Sequence, residues 1–270
     1  DWSSDVCSSD LEYAFEGVES VGGVSFDGEQ VWFAAGGRLV AFDPDSGNTT
    51  RSLDIAAHAG TAFDGKHLYQ IAEDRILKIE PNSGRVVSTI PSPGGGRDSG
   101  LAWAEGSLWV GQYRDRTIVQ VDPETGKATI VAEGVLGPNG LCFSPDETIL
   151  YVVESRGVPN RKILAYDVSA DGTTISNKRV FIDAGPGTPD GMRCDIDGNL
   201  WCGWGMGDPE LDGVVVFAPD GVMIGRIALP ERCANLCFGG VKRNRLFMAA
   251  SQSIYALYVK IGRASCRERV

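Results

Sequence analysis

The chain has 270 residues, a net charge of −11, and 43% hydrophobic and 23% charged residues. That balance suits a folded protein with a core, and no apolar run of about 18 residues is present to span a bilayer. An acidic surface repels phosphate, which excludes nucleic acid and anionic membranes as expected partners, and 35 glycines with 13 prolines favour strands and turns over helices.

In chain order, an apolar strand begins just after Gly23 (V-S-F), Gly60 (T-A-F), Gly100 (L-A-W), Gly140 (L-C-F), Gly191 (M-R-C) and Asn235 (L-C-F). A turn and a second strand follow: Asp27-Gly28 before Val31, Asp64-Gly65 before Leu68, Glu105-Gly106 before Leu108, Pro145-Asp146 before Leu150, Asp197-Gly198 before Leu200. A third strand runs into a proline turn at Asp43-Pro44, Glu80-Pro81, Asp122-Pro123 and Ala218-Pro219, and a fourth closes the unit, as in Arg85 to Ile90. Four short strands repeating about every 40 residues are propeller blades. The expected fold is therefore all-β: a six-bladed β-propeller with four antiparallel strands per blade. The last copy, Asn235 to Val259, holds three strands. Glu12 to Ser20 is expected to supply the fourth, closing the ring by pairing the N- and C-terminal segments and removing free edges. A β-sandwich explains the strand spacing but not the repeated order of turn types.

In a propeller, the loop entering each innermost strand rings one mouth of the channel. The residues in that slot are Gly22, Ala59, Ser99, Asn139, Asp190 and Ala234, with Asp98 one position earlier in the third blade. Asp98, Asn139 and Asp190 thus come from three adjacent blades, and their oxygens suit a hard divalent cation. Singly, Pro138-Asn139-Gly140 and Pro189-Asp190-Gly191 are ordinary turn formers; the shared slot is what points to a site. Of the two histidines, His58 is read as a loop or surface residue, with a channel-facing alternative. Glu154 ends a strand, either solvated or pointing inward. The loop from Gly203 to Asp212 is a candidate border of the mouth. No G-x-S-x-G elbow is present, and Gly94-Gly95-Gly96 leads into a strand, not a phosphate-binding helix. Cys142, Cys194, Cys202, Cys233 and Cys237 contain no C-x-x-C pair and are expected as buried thiols. Trp103, Trp109, Trp201 and Trp204 are expected to pack between blades.

Gly137 to Val259 resembles the gluconolactonase / senescence-marker-protein (regucalcin) family. The matching stretches are G-P-N-G-L-C-F-S-P-D-E-T-I-L-Y-V-V-E-S (137–155), I-L-A-Y-D-V (163–168), T-P-D-G-M-R-C-D-I-D-G-N-L-W (188–201) and C-F-G-G (237–240). The resemblance implies a six-bladed propeller that hydrolyses sugar (aldono) lactones with one divalent metal ion, Ca²⁺, Mg²⁺, Mn²⁺ or Zn²⁺. Asn139 and Asp190 match two family metal ligands, with Asp98 as the third expected here, and Asp190 is also the implied base. Asp98, Arg97 and Glu154 are the expected substrate-binding residues. The family's first-blade Glu aligns with Gly22, with Glu19 three residues earlier. Its third-blade Asn aligns with Asp98 and its Arg with Gly96, one position from Arg97. A degraded metal site with weaker activity is therefore expected.

Residues 23–133 look more like generic propellers of the virginiamycin-B-lyase or glutamine-cyclotransferase type, so a junction between two halves is expected near 134–137. Residues 1–11 and 260–270 lack periodicity and resemble translated sequencing-adapter DNA in opposite orientations, leaving 12–259 as one propeller. Two other functions stay open: a non-catalytic binding or scaffold propeller, and a lyase or cyclotransferase acting through the first half. A monomer or weak oligomer is expected, in the cytoplasm or periplasm.

Overall fold

The computed structural model describes residues 11–259, as 24 strands with no helix among them. The two end segments read as tails lie outside these residues, except Leu11. Leu11 opens β1 (Leu11–Tyr13), one residue before the expected boundary.

The first sheet contains β2 (Val24–Phe26), β3 (Val31–Ala34), β4 (Leu39–Phe42) and β5 (Thr49–Leu53). The second contains β6 (Thr61–Phe63), β7 (Leu68–Ala72), β8 (Arg75–Glu80) and β9 (Arg85–Pro91). The third runs β10 (Asp98–Ala104), β11 (Ser107–Gln112), β12 (Thr117–Val121) and β13 (Ala128–Glu133). The fourth runs β14 (Pro138–Phe143), β15 (Ile149–Glu154), β16 (Lys162–Val168) and β17 (Ile175–Asp183). The fifth runs β18 (Met192–Cys194), β19 (Leu200–Trp204), β20 (Gly213–Phe217) and β21 (Met223–Ala228). The sixth holds β22 (Asn235–Gly239), β23 (Arg245–Ala249) and β24 (Ile254–Tyr258), completed by β1. Each sheet is antiparallel, and the first strand of each unit packs beside that of the next, so the expected six-bladed propeller is present.

Ring closure is also as expected. β1 pairs with β24 through Leu11↔Ala256, Glu12↔Tyr255 and Tyr13↔Ile254. The Tyr13 hydroxyl donates to the Pro44 carbonyl in the first blade at 2.6 Å, and the buried Arg245 donates to both that carbonyl (2.7 Å) and Tyr13 Oη.

Each blade is apolar on its inner strands and polar at its rim. β3, β4 and β20 are buried at every position, whereas β5, β13 and β21 are largely exposed. The first turn is locked by one aspartate in several blades. Asp27 Oδ1 accepts the backbone N–H groups of Glu29 and Gln30, while Oδ2 accepts the Trp32 indole N–H at 2.6 Å. Asp64 and Asp195 repeat the arrangement toward Tyr69 and Trp201. In the third blade the slot holds Ala104, and the buried Trp109 indole N–H has no partner.

Aromatic rings fill the seams between blades. Trp103 stacks on Tyr69 at 5.5 Å, Trp109 meets Phe143 edge-on at 5.2 Å, and Trp201 meets Phe238 at 5.6 Å. Trp204 instead packs on Phe217 of its own sheet. The five cysteines read as thiols are free and buried.

Candidate active site

The glycine that stands at this position in five of the six blades is a close-approach position. A Cβ added at Gly140 would lie 2.2 Å from the Asp190 carbonyl oxygen, and one at Gly100 would lie 2.0 Å from that of Asn139. Only glycine lets adjacent inner strands come so near. The residue just before it then faces the channel mouth. All six slot residues, Gly22, Ala59, Ser99, Asn139, Asp190 and Ala234, line one cavity of about 340 Å³. The opposite end holds a smaller cavity of about 100 Å³, lined by aromatic rings that include Phe26, Phe63, Trp103, Phe143 and Phe238. Arg193 borders both.

Asn139 and Asp190 meet across the fourth and fifth blades. Asn139 Nδ2 donates to Asp190 Oδ1 at 2.8 Å. The backbone fixes both residues: Ser99 Oγ donates to the Pro138 carbonyl at 2.6 Å, and Asp190 N donates to Gly203 O at 2.9 Å. Arg232 completes the group, its Nη2 donating to Asp190 Oδ2 at 3.2 Å. Burial pushes the Asp190 carboxyl up to about 6, against the opposing pull of Arg232 and Asn139.

The other expected site residues are placed differently. Asp98 lines the cavity, but its Oδ2 accepts from Ser92 Oγ and from Gly94 N (3.3 Å), and its Oδ1 is buried without a partner. Burial raises its carboxyl above the usual range, while the Ser92 and Gly94 hydrogen bonds act the other way. Arg97 and Glu154 are not among the residues lining the cavity. Arg97 pairs with Asp115 at 3.3 Å and with the Gly94 carbonyl. Glu154 is buried, which decides against its solvated reading, and it accepts the Leu136 backbone N–H at 3.0 Å. His58 is exposed and stands at the rim of the cavity. Glu19 is exposed and outside the lining. The 203–212 loop touches the group through Met206, whose sulfur accepts from Arg232 Nη1 at 3.7 Å.

The donor set does not make the three-ligand cation site that the resemblance implies. Asn139 and Asp190 converge, but Asp98 is turned into the 92–94 segment and Gly22 offers no side-chain oxygen. Asp190 Oδ2 already faces a guanidinium. Among the described residues, no three His, Cys, Asp or Glu side chains gather to hold a metal ion.

Arg232 was not legible from the strand pattern. It lies in the segment between β21 and β22, outside the repeated slot, and reaches Asp190 by side-chain length alone.

A family model described as "SMP-30/Gluconolactonase/LRE-like region" matches residues 22–252, through both halves of the chain. A gluconolactonase of Zymomonas mobilis is 34% identical over 153 residues, covering 53% of this chain and 40% of that protein. A 6-deoxy-6-sulfogluconolactonase of Pseudomonas putida is 33% identical over 161 residues, covering 57% of this chain and 51% of that one. The chain thus spans about half the length, or less, of these two curated relatives. The solved structure of a calcium-binding protein, regucalcin, from Agrobacterium tumefaciens superposes with a TM-score of 0.76 at 21% identity, covering 91% of this chain and 92% of that one, a likeness of fold.

Proposed function

Since this chain belongs to the SMP-30/gluconolactonase/LRE-like family, we propose that it hydrolyses sugar lactones at the polar mouth of the channel. The observation that carries this reading is the Asp190 carboxylate, held by Asn139 and poised near pH 6 at the edge of a cavity of sugar size. A carboxylate with that affinity for protons is a competent general base near neutral pH.

In this scheme Asp190 takes a proton from a water molecule. The resulting hydroxide attacks the lactone carbonyl carbon, and the tetrahedral oxyanion collapses with cleavage of the ring C–O bond. The ring oxygen leaves as an alcohol after receiving the proton from Asp190, giving the aldonic acid. Asn139 orients the base. The scheme gives no step to a divalent ion, because Asn139 Nδ2 donates to one Asp190 oxygen and the Arg232 guanidinium pairs with the other. We read residues 12–259 as one working unit, with both halves contributing slot residues to the same cavity.

The test is hydrolysis of glucono-1,5-lactone by the full chain, measured above the spontaneous rate. Asp190→Ala is expected to lower kcat/KM by at least about a hundred-fold, and Asp190→Asn similarly. Normal turnover by Asp190→Ala would sink the mechanism. The non-catalytic propeller reading draws support from Gly22 and the sequestered Asp98; a folded chain with no turnover would favour it.

A further inference from the structure

We propose that Arg232 is the resident cation of this site. Its guanidinium pairs with the Asp190 carboxylate that a divalent ion would need as its anionic ligand, so this chain works without such an ion.

Arg232 Nη2 lies 3.2 Å from Asp190 Oδ2, and Asn139 takes the other carboxylate oxygen. A divalent ion seeking Asp190 must displace that guanidinium or sit against it, charge on like charge. Among the described residues Asn139 and Asp190 are the pair brought together here, so an ion would depend on Asp190 for its one anionic ligand and on waters to fill the rest of its shell of about six or more oxygens.

Arg232 is also held in place by its neighbours. Cys233 is buried and its N–H donates to the Trp204 carbonyl at 3.2 Å. Ala234 N donates to Ala249 O at 2.8 Å, and Gly191 N donates to Ala234 O at 2.8 Å, tying the arginine's segment to the residue after Asp190. Glu231 accepts the Gln252 backbone N–H at 3.0 Å. The backbone that carries Arg232 is thus tied down on its C-terminal side, and its guanidinium rests on Asp190 and Met206.

The chemistry of the group fits the role. A guanidinium offers five N–H donors, and this one spends them on Asp190 and Met206 only in part. The remaining donors suit a lactone carbonyl as its oxygen becomes negative. The empty slot at Gly22 agrees: a site whose positive charge is covalently built in needs no further anionic ligand.

The inference rests on the lactone reading for its activity arm only; ion binding is measured independently. Chelator-treated chain is titrated with Ca²⁺ and with Mn²⁺ by isothermal calorimetry. The unmodified protein is expected to show no saturable binding up to about 1 mM, the weak end of protein calcium sites. Arg232→Ala is expected to bind one equivalent. Gly22→Glu/Arg232→Ala should bind at least about ten-fold tighter, by adding a carboxylate ligand. Position 22 has room, since an added Cβ would sit 3.7 Å from Ala34. Arg232→Lys keeps the charge and should still exclude the ion.

In the lactone assay, chelator should change the unmodified protein less than about two-fold, while Arg232→Ala should lose at least about ten-fold and regain part of it with Mn²⁺. Tight stoichiometric binding by the unmodified protein, ion binding by Arg232→Lys, or no gain of binding in a folded Arg232→Ala each overturns the proposal. If nothing hydrolyses lactone, the functional reading fails, and the calorimetry still decides the question of the ion.

Discussion

At the scale of single residues, Asp190 makes the sharpest claim. Its carboxyl is pushed up to about 6, chiefly by burial. A base works only when deprotonated, so kcat/KM for the lactone should fall as pH drops through about 6. Arg232 holds that value down, and Arg232→Ala should therefore move the inflection upward; a pH–rate profile of both proteins checks the pair. Asn139 and Asp190 were legible because the repeat itself indexes them: same slot, adjacent blades, oxygen-bearing side chains. Asp98 holds a nearly equivalent slot and lines the same cavity, but its orientation is set by Ser92 and Gly94, which no repeat signal marks. The partner of Glu154 is hidden for a related reason: a carboxylate at the end of a strand looks free in the sequence, but the Leu136 backbone N–H, 18 residues earlier, claims it.

At the scale of the element, the first hairpin turn of the first, second and fifth blades depends on a single side chain. Asp195 is fully buried and accepts from Asp197 N, Asn199 N, Asn199 Nδ2 and Trp201 Nε1. Asp195→Ala would leave these donors unpaired, and we expect a loss of about 2–4 kcal/mol in urea unfolding. Exposed Asp220, which accepts only Val222 N at 3.0 Å, should cost less than about 1 kcal/mol when replaced by Ala, serving as the comparison. The strands were legible because Asp-Gly and Asp-Pro turns punctuate them at constant phase. The third-blade exception was not: Ala104 reads as harmless until the buried indole of Trp109 is seen to lack the acceptor that its counterparts possess.

At the scale of the whole molecule, the ring is held shut by β1. Tyr13 packs on Phe42 at 4.8 Å, bonds to Pro44, and shields Arg245. Tyr13→Ala removes a buried aromatic ring and a hydrogen bond, and should cost about 3–5 kcal/mol. It should lower the thermal midpoint and speed hydrogen exchange in β24 ahead of the central blades. Six blades and their closure were legible from repeat arithmetic, since three strands at one end and a spare strand at the other leave few alternatives.

That closure has a consequence for how the protein is made. β1 is synthesised before the other described strands of the ring, and its partner β24 after them all. Until β24 arrives, β1 has no sheet to join and the first blade has an open side where the sixth will dock. Asp190 meets Arg232 only at the same late stage. While the intervening strands are being made, the nascent ring is therefore an arc with two open flanks and an unmade Asp190–Arg232 pair, and this vulnerable period ends when β1 and β24 come together.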